Sequence, residues 1–426
     1  MNLDLLYTRF LECSSISIDT RKIDENAMFV AIKGANFDAN TFALEALNKG
    51  AKYVIIDNHE YYIDSRTLLV PNCLIFLQDL ASYHRKILNI PVIALTGSNG
   101  KTTTKELLNA VLSKKFKTKA TIGNLNNHIG VPLTLLSFTK ETEIGIVEMG
   151  ANHQNEIAFL CQIAKPDFGY ITNFGKAHLE GFGGIDGVIK GKTELYNFIS
   201  IHNKTLFVNL DDSIQVKKAL NATIIGFSQL DINGFLYFSN ISASPNVQVQ
   251  FNSTVVQSNL IGMYNATNIC AAITIGSYFK VPDEQIKYAI ESYFPSNNRS
   301  QIVFRDSNKI LLDAYNANPS SMNAAIANFV QLEGVNKIMI LGDMFELGSE
   351  SRDEHKKIVE QIEFCCIKTY FVGNKFFEVK KNTSLLYFFP DYESFELEMS
   401  KLKLKETLFL IKGSRGMALE RVLNCL

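Results

Sequence analysis

Residues 91–112 read PVIALTGSNGKTTTKELLNAVL, and this stretch decides the fold class of the chain. The apolar run from Pro91 to Leu95 precedes a turn with two glycines, and a helical pattern follows the turn. Backbone N–H groups in such a turn, together with the start of the following helix, face an anion. Leu95 stands where the longer G-x-x-x-x-G-K-[ST] pattern has its first glycine. The stretch therefore predicts a phosphate-binding loop of the compact T-G-x-x-G-K-T form.

Each residue type in this loop fits a phosphate chain. Gly97 and Gly100 permit backbone turns that are closed to other residues and let an oxygen approach closely. Lys101 would neutralise the terminal phosphates, and Thr102 would offer its hydroxyl to magnesium. The alternative is a glycine turn before a capped helix that binds nothing. The strand before the loop and the helix after it favour the phosphate loop.

The composition is that of an ordinary soluble globular protein, with 46% hydrophobic and 20% charged residues. Forty-two basic side chains face 43 acidic ones, for a formal net charge of -1, which gives no support to a general nucleic-acid-binding surface. No apolar run approaches the roughly 18 residues that span a bilayer, and the first residues lack a signal-peptide pattern. Seven dispersed cysteines without a CxxC pair fit reduced thiols. We therefore expect a cytoplasmic protein without membrane insertion.

The pattern of strands and helices predicts an α/β protein, and its length suggests about three domains. In the first domain, residues 1–90, the runs Ala27 to Ile32 and Tyr53 to Ile56 are predicted strands. Phe42 to Lys49 is a predicted helix that ends at Gly50. This alternation indicates an α/β domain.

The second domain, residues 91–297, is predicted to carry the phosphate loop on a doubly wound parallel sheet. Its later strands, Ile144 to Val147 and Phe168 to Thr172, end in polar residues followed by glycine. Parallel strands end in this way at the binding edge of an α/β sheet. The tract from Asn221 to Ser258 is richer in alternating and polar residues. It predicts an antiparallel excursion within this domain.

The third domain, residues 298–426, contains three apolar runs separated by helical stretches. These runs are Lys337 to Leu341, Thr369 to Val372 and Leu408 to Ile411, and a glycine follows each of them closely. This spacing predicts a second, smaller parallel sheet of Rossmann-like type.

Two strand ends of the second domain supply candidate magnesium ligands. Glu148 follows one strand in the tract IVEMGANH, and His178 follows the next in TNFGKAHLEGFGG. Magnesium on a nucleotide is held by further oxygen ligands or water, so chemistry alone favours the glutamate over the histidine. Taken singly, the alternatives are a surface carboxylate and a structural or solvated histidine. Their placement beyond parallel strands of one sheet favours a functional role.

Two other tracts of the second domain are polar. Asn126 and Asn127 lie in GNLNNHIGVPLTLL, where amide side chains that both donate and accept suit polar ligand groups. An Asx-rich turn is the alternative. Lys192 lies in GVIKGKTELYNF, a predicted helix, and residue chemistry alone favours a solvated lysine there.

The third domain has two polar tracts of its own. LLDAYNANPSSM places Asp313, Asn316 and Asn318 ahead of a helix, and an asparagine cap with proline at the first helical position explains part of the pattern without function. IKGSRGMALERVL places Lys412 and Arg415 at a strand end and a helix start, which suits an anionic ligand. A helix-capping loop with solvated charges is the alternative for the second tract.

Taken together, these tracts resemble the Mur ligase family, the ATP-dependent amide-forming enzymes of peptidoglycan precursor synthesis. The tracts that carry the resemblance, spread over residues 17 to 420, are SIDTRKI, FVAIKGANFDAN, TGSNGKTTTKE, GNLNNHIGVPLTLL, EMGANHQNEI, TNFGKAHLEGFG, DAYNANPSSM, GDMFELG and KGSRGMALE. The phosphate loop alone would indicate only the wider family, which includes folylpolyglutamate synthases. The asparagine-rich tract and the YNANP tract are more specific, and resemble the branch that joins D-alanyl-D-alanine to UDP-N-acetylmuramoyl-tripeptide.

The resemblance implies a division of labour among the three domains. The first would bind the UDP-muramoyl-peptide, the central P-loop ATPase domain would bind ATP, and the Rossmann-like C-terminal domain would close over both. ATP and Mg2+ would be the cofactors. The substrates would be UDP-N-acetylmuramoyl-tripeptide and D-alanyl-D-alanine, bound by a monomer with no nucleic-acid partner.

The resemblance also implies roles for individual residues. The residues implied for ATP are Gly97, Ser98, Asn99, Gly100, Lys101, Thr102, Thr103, Asn268, Arg299 and Asp313. Those implied for the other substrates are Asp19, Thr20, Arg21, Lys33, Asn126, Asn127, Asn318, Lys412 and Arg415. The metal ligands would be Thr102, Glu148 and His178, and the catalytic set Lys101, Glu148, His178, Lys192 and Asn316. Lys192 matches a lysine that several family members carry as a carbamate, an anionic oxygen ligand for a second magnesium.

The implied reaction begins with transfer of the γ-phosphoryl group of ATP to the terminal carboxylate of the tripeptide. The amine of D-alanyl-D-alanine then attacks the acyl phosphate, and phosphate leaves. The nearest alternative is a ligase of the same family with another amino substrate. Two alternatives of other classes are a nucleotide-dependent switch or motor and a nucleotide-sensing scaffold. No NKxD-type guanine signature supports a switch.

Overall fold

The structure is a computed structural model that describes residues 3–219, 222–296, 298–334, 336–402 and 404–426. Three main sheets follow one another along the described chain, each with helices packed on it. The α/β class predicted from the sequence is confirmed. Asn221, where the predicted excursion begins, and Asn297, where the predicted central domain ends, lie outside the described residues.

The first sheet is small and parallel. Its strand order is β1-β2-β5-β6, and a two-stranded antiparallel hairpin, β3 and β4, lies beside it in sequence. The strands are β1 (Ile16–Ser17), β2 (Met28–Val30), β3 (Lys33–Gly34), β4 (Phe37–Asp38), β5 (Tyr53–Ile56) and β6 (Thr67–Leu69). The helices are α1 (Leu3–Leu11), α2 (Ala43–Asn48) and α3 (Cys73–Leu88), with 3-10 turns at Thr20–Lys22, Ala39–Phe42 and His59–Tyr61.

Helix α3 connects the first sheet to the second one. Asn72 caps its start by accepting a hydrogen bond from the N–H of Ile75, and Asn89 ends it in a left-handed conformation. Nε2 of the buried His84 contacts the carbonyl of Phe138 at 3.0 Å. A carbonyl only accepts, so Nε2 carries the proton and Nδ1 accepts from the hydroxyl of Tyr7. These contacts fix α3 between the first two sheets.

The second sheet has the strand order β15-β14-β13-β12-β11-β10-β7-β9-β8. The strands are β7 (Val92–Thr96), β8 (Thr118–Ala120), β9 (Ile144–Glu148), β10 (Phe168–Ile171), β11 (Thr205–Asn209), β12 (Thr223–Ser228), β13 (Leu236–Ala243), β14 (Asn246–Phe251) and β15 (Thr254–Ile261). The helices are α4 (Lys101–Leu112), α5 (Gly130–Leu136), α6 (Glu156–Ala164), α7 (Leu179–Phe182), α8 (Ile185–Ile201), α9 (Ser213–Lys218), α10 (Ala266–Tyr278) and α11 (Asp283–Glu291), with a 3-10 turn at Met263–Asn265.

The centre of this sheet positions the site. Every residue of β7 and β9 is buried, because helices cover both faces of the sheet, and such strands read as continuous apolar runs. Strand β7 pairs in parallel with β9 on one side and β10 on the other, so that Leu95 lies opposite Glu148 and Thr96 opposite Ile171. After β7 the chain forms β8 and β9 on one side of β7, and then returns to the other side of β7 with β10. This is a topological switch point, where open α/β sheets bind ligands.

The predicted antiparallel excursion is right in kind but begins later than expected. Strand β12 pairs in parallel with β11, and the start of β13 still pairs in parallel with β12. Only β13, β14 and β15 form an antiparallel meander. The alternation of apolar and polar residues marks strands with one exposed face, but it does not tell the direction of a neighbouring strand.

The third sheet has the order β16-β17-β21-β18-β19-β20, and all its pairings are parallel except the one between the edge strand β16 and β17. The strands are β16 (Gln301–Arg305), β17 (Asn308–Asp313), β18 (Asn336–Gly342), β19 (Lys368–Val372), β20 (Leu386–Phe389) and β21 (Thr407–Lys412). The helices are α12 (Pro319–Gln331), α13 (Ser351–Glu363), α14 (Asn374–Phe377) and α15 (Tyr392–Met399), with 3-10 turns at Gly348–Glu350, Arg415–Met417 and Leu419–Asn424. The predicted smaller Rossmann-like sheet is confirmed.

Buried apolar side chains join the three sheets into one packed body. One cluster runs from α1 and the first sheet, across one face of the second sheet, to one face of the third. Separate clusters fill the other face of the second sheet and the other face of the third. Within the described part of the chain, no helix is long and apolar enough to cross a membrane.

Candidate active site

The loop after β7 has the conformation of a phosphate cradle, and its two glycines are required by geometry. Gly97 has φ +145° and Gly100 has φ +80°, values that side-chain-bearing residues rarely adopt. A Cβ at Gly97 would collide with the hydroxyl of Thr172, and one at Gly100 would lie 2.5 Å from Oδ1 of Asn268. The loop is therefore wedged between the end of β10 and helix α10.

The polar end of β10 anchors the loop. Asn173 accepts hydrogen bonds from the N–H groups of Ser98 and Asn99, at 3.1 and 3.0 Å. The hydroxyl of Thr172 donates to the carbonyl of Asn99 at 2.6 Å. Sequence reasoning missed Thr172 and Asn173 as functional residues, although their place directly after a buried strand at the binding edge was a signal.

Lys101 begins α4 and folds back onto its own loop. Its amine donates to the carbonyls of Gly97 and Ser98, at 2.7 and 3.3 Å. Burial lowers the pKa of the amine, and the nearby Glu148 carboxylate opposes this effect. The ammonium thus lies within the turn where the sequence predicts a phosphate.

Glu148 is a buried carboxylate with one oxygen held and the other free. Oε1 accepts from the amide of Asn126 at 2.8 Å and from the hydroxyl of Thr102 at 3.3 Å. The backbone N–H of Glu148 donates to the hydroxyl of Thr121, which sequence reasoning missed. Oε2 is buried without any hydrogen-bond partner. Because an unsatisfied buried carboxylate oxygen is costly, this atom points to a ligand.

These groups fit a magnesium ion bound through a nucleotide. The residues that the structure describes contain no group of three or more His, Cys, Asp or Glu side chains able to hold a metal by themselves. Mg2+ at nucleotide sites uses one or two carboxylates and completes its shell with phosphate oxygens and water. The free Oε2 of Glu148 and the adjacent Thr102 hydroxyl supply that kind of partial shell.

His178 lies at the same cavity with its backbone in the left-handed region, at φ +53°. Its Nδ1 lies 2.5 Å from Oε2 of Glu346 in the third domain, a close contact without the alignment of a hydrogen bond. The His178 imidazole lowers the pKa of Glu346. The tract GDMFELG contributes to the family resemblance, but no pattern in the sequence singles out its glutamate.

Lys192 is buried on α8, with 1% of its surface exposed. Its amine donates to the carbonyl of Ala151 at 3.1 Å and lies 5.0 Å from the ring centre of Phe182. Burial, and then the charge of Lys101, hold the pKa of this amine well below its ordinary value. The solvated lysine suggested by residue chemistry alone is therefore wrong.

Asn268 and Arg299 border the cavity on the side of α10. Asn268 accepts from the hydroxyl of Thr104 at 3.1 Å and donates to Asn265 at 3.0 Å, so its amide supports the phosphate loop. The guanidinium carbon of Arg299 lies 3.5 Å from the ring centre of Tyr315, and the buried Nε of Arg299 has no partner. A cation with an unpaired donor fits an anionic or polar ligand at this wall.

The third domain contributes a second polar wall. Asp313 accepts from the amine of Lys412 at 2.6 Å and from the N–H of Ser300 at 3.1 Å. Lys412 also donates to the carbonyl of Asn316. Asn318 donates to Oδ1 of Asn99 at 2.7 Å, so the last domain contacts the phosphate loop directly.

A cavity of about 780 Å³ between the second and third sheets brings most of the predicted residues together. The predicted residues that line it are Ser98, Asn99, Gly100, Lys101, Thr102, Thr103, Asn126, Asn127, Glu148, His178, Asn268, Arg299, Asp313, Asn316, Asn318 and Lys412. Asn127 also accepts from the N–H groups of Ile129 and Gly130 at the start of α5, so the predicted Asx-type turn is present as well. A ligand in this cavity would contact both domains at once.

The remaining predicted residues lie apart from the cavity lining. Gly97 shapes the loop, and Lys192 is covered by other side chains. Arg415 is exposed and pairs with Glu420 at 2.7 Å. Arg415 is thus held at the surface by a glutamate of the next 3-10 turn, Leu419–Asn424.

The first domain carries the four residues predicted for the uridine-diphosphate end. Asp19 caps the turn that contains Thr20 and Arg21, and Arg21 lowers the pKa of Asp19 to about 2. Lys33 pairs with Asp57 at 3.1 Å, beside the β3–β4 hairpin. These residues lie outside the cavity between the second and third sheets.

Two family models match the chain: the Mur ligase middle domain over residues 95–276 and the Mur ligase, glutamate ligase domain over residues 298–414. A UDP-N-acetylmuramoyl-tripeptide--D-alanyl-D-alanine ligase of Bacillus subtilis (strain 168) is 32% identical over 426 residues, covering 96% of this chain and 92% of the relative. Among solved structures, the chain in crystal structure I of MurF from Acinetobacter baumannii has 29% sequence identity to this protein. The TM-score is 0.88, and the match covers 99% of this chain and 98% of that one.

The MurF ligase from Thermotoga maritima in complex with ADP is 26% identical, with a TM-score of 0.84 and coverage of 98% of this chain and 97% of that one. Thus the likeness extends over all three sheets, and not only over the phosphate-loop domain. The chain therefore belongs to the Mur ligase family, and within it to the UDP-N-acetylmuramoyl-tripeptide--D-alanyl-D-alanine ligases.

Proposed function

We propose that this protein joins D-alanyl-D-alanine to UDP-N-acetylmuramoyl-tripeptide at the expense of ATP, giving the pentapeptide precursor of peptidoglycan with ADP and phosphate. One observation carries the proposal: a phosphate loop, a buried carboxylate with a free oxygen, and polar groups of the last domain line one cavity. We infer the substrates from the name of the relatives that match along their length and from the ADP bound in one similar structure.

The reaction needs ATP because a carboxylate does not react with an amine at neutral pH, since oxide is a poor leaving group. We propose that the terminal carboxylate of the tripeptide attacks the γ-phosphorus, which gives an acyl phosphate and ADP. The amine of D-alanyl-D-alanine then attacks the acyl carbon, and phosphate leaves with its electron pair. Enzymes catalyse such transfers mostly by positioning and charge neutralisation.

The loop residues would hold the transferring group. Lys101 would exchange its contacts with the Gly97 and Ser98 carbonyls for phosphate oxygens of ATP. Thr102, Glu148 and His178 would hold Mg2+, which when bound neutralises charge on the phosphate oxygens. Asn126 would orient Glu148 by holding its other oxygen.

The last domain would close the reaction off from water, which would otherwise hydrolyse the acyl phosphate. Asn318 contacts Asn99 of the phosphate loop, and Lys176 of the central domain pairs with Glu354 of the last domain at 2.7 Å. Asn316 and Lys412 would contact the substrates from this side, and Arg415 would exchange its pairing with Glu420 for a substrate group. Asn268, Arg299 and Asp313 would hold the nucleoside of ATP.

The first domain would hold the uridine end of the substrate through Asp19, Thr20, Arg21 and Lys33, and Asn127 would contact the muramoyl peptide. The three ranges predicted from the sequence, 1–90, 91–297 and 298–426, would then divide the work between uridine binding, ATP binding and closure. We further propose a monomer that works in the cytoplasm. Equilibrium sedimentation of the purified protein tests the monomer.

Lys192 is proposed to carry a carbamate. Burial holds the pKa of its amine well below the ordinary value, which favours the neutral form, and a neutral amine adds carbon dioxide with loss of a proton. The product is an anion that could share in metal binding. Labelling with 13C-bicarbonate tests this: a carbamate signal is expected, and it should be absent in Lys192→Arg.

The function is tested by incubating the purified protein with ATP, Mg2+, UDP-N-acetylmuramoyl-tripeptide and D-alanyl-D-alanine and measuring product masses. The expected product has the mass of the two substrates less one water and forms only with ATP. Phosphate release without a joined product would contradict the acceptor. Other amines would then be tested, before a switch that hydrolyses ATP without any ligation.

A further inference from the structure

A glutamate of the last domain contacts the proposed metal-binding histidine of the central domain. Oε2 of Glu346 lies 2.5 Å from Nδ1 of His178. The side chain of His178 is 22% exposed and that of Glu346 is 50% exposed, so the contact lies at the rim of the domain interface. The contact thus brings a carboxylate to one nitrogen of the imidazole and leaves Nε2 as the second nitrogen.

The loop that presents Glu346 is held in place on both sides. The N–H of Met344 donates to Nε2 of the buried His355 at 3.0 Å, and the N–H of Phe345 donates to the hydroxyl of Ser414 at 2.8 Å. The carbonyl of Glu346 itself accepts from the N–H of Glu180 at 3.2 Å, across the interface. The position of this carboxylate is therefore set by the fold of the last domain and by its docking.

Both residues of the pair have strained backbones. Glu346 has φ +62° and His178 has φ +53°, in the left-handed region that side-chain-bearing residues rarely adopt. Such conformations persist where the surroundings over-determine them, and they concentrate at functional sites. Two strained residues in contact across a domain boundary indicate a selected geometry.

The chemistry of a metal-bound histidine explains the pair. A histidine binds a metal as a neutral imidazole, through the lone pair of one nitrogen, and the other nitrogen then carries the proton. Metal-bound histidines almost always donate that proton to a carboxylate, a carbonyl or water, which fixes the ring and raises its basicity. The carboxylate of Glu346 beside Nδ1 favours the proton on that nitrogen and leaves Nε2 as the ligand atom.

We propose that Glu346 is a positioning residue that orients His178 for magnesium from the opposite domain. This rests on the magnesium role proposed above for His178. It also means that the metal site is complete only when the last domain is docked on the central one. Magnesium binding and domain closure then favour each other, and the coupling is the same in both directions.

The test measures the affinity of the full-length protein for ADP by calorimetry, once with Mg2+ and once with EDTA. The dissociation constant in EDTA divided by the one with Mg2+ is the ratio that reports the contribution of the metal. In Glu346→Ala the ratio is expected to fall about 10-fold, the lower end for loss of a partner behind a metal ligand, while the EDTA value stays that of the wild type. Glu346→Gln retains an acceptor oxygen and should lie between the two.

Two further variants separate positioning from general closure. If Glu346 acts through His178, the double variant His178→Ala/Glu346→Ala has the same ratio as His178→Ala alone. Glu354→Gln is the matched control, because Glu354 pairs with Lys176 across the same interface without contacting His178. Its ratio should fall less than that of Glu346→Ala, because this variant weakens closure without removing the partner of His178.

Three results would overturn the inference. The ratio could be unchanged in Glu346→Ala, it could fall equally in Glu354→Gln, or the two alanine substitutions could be additive. If His178→Ala itself leaves the ratio unchanged, the metal role of His178 fails and takes this inference with it. The ligase function is judged separately, by product mass.

Discussion

At the scale of single residues, the two oxygens of Glu148 have different surroundings. Asn126 and Thr102 hold Oε1, whereas Oε2 is buried and free of hydrogen-bond partners. A carboxylate that is only half satisfied inside a protein is costly, and that cost is recovered when a cation arrives. The amide of Asn126 therefore matters because it determines which oxygen is left free.

Replacing Asn126 by alanine removes the shorter of the two hydrogen bonds to Oε1, so the carboxylate can rotate away from the proposed metal position. We expect the Mg2+ concentration for half-maximal activity to rise about 10-fold, as for other residues that support a metal ligand. Steady-state rates over a Mg2+ series measure this. ADP affinity in EDTA is the control and should not change; an unaltered Mg2+ requirement would contradict the positioning role of Asn126.

At the scale of single elements, the sequence predicted strands and loops better than it predicted contacts. Strand β5 has the predicted bounds, Tyr53–Ile56, and Asn318 caps the helix that begins at Pro319, as the sequence indicates. Continuous apolar runs and capping residues are local signals. The alternation within β12 does not tell the direction of its neighbour β11, so the antiparallel excursion begins later than the sequence predicts.

The same distinction holds for the site. Gly100 and Lys101 could be identified because their spacing is local. The contacts of Asn173 with the phosphate loop and of Glu346 with His178 join residues that are far apart in the chain. No pattern within one tract carries that information, so only the fold reveals these partners.

Helix α12 allows a prediction in which stability and activity separate. Asn318 accepts from the N–H of Ser321 as a cap and donates to Asn99 across the domain interface. Asn318→Ala should lower the free energy of unfolding by about 1 kcal/mol through loss of the cap. Asn318→Ser restores the cap but not the reach to Asn99, so we expect normal stability and reduced ligase activity.

Thermal unfolding and steady-state rates of the two Asn318 variants provide the measurement. Full activity in Asn318→Ser would show that the contact with Asn99 does not contribute to catalysis. Equal loss of stability in both variants would instead show that Asn318 does not stabilise the protein by capping helix α12.

At the scale of the whole molecule, the proposal separates uridine binding from phosphoryl transfer. Lys33 lies in the first domain with Asp57, outside the cavity that holds the phosphate loop. Lys33→Ala should raise the KM for the UDP-linked substrate about 10-fold, the loss of one charge-assisted contact, and leave the KM for ATP unchanged. Arg66→Ala removes an exposed pair with Asp64 in the same domain and is the control.

Initial rates with each substrate varied in turn measure both constants. A rise in the KM for ATP in Lys33→Ala, or an equal effect in Arg66→Ala, would contradict a uridine site at Lys33.

We propose that the cavity between the last two domains activates a carboxylate by phosphorylating it. We would label both oxygens of the tripeptide's terminal carboxylate with 18O and measure the released phosphate by mass spectrometry. We expect one 18O in each phosphate and one retained in the new amide, because the bond from the acyl carbon to the phosphorylated oxygen is the one that breaks. Phosphate without 18O, released while product forms, would contradict it.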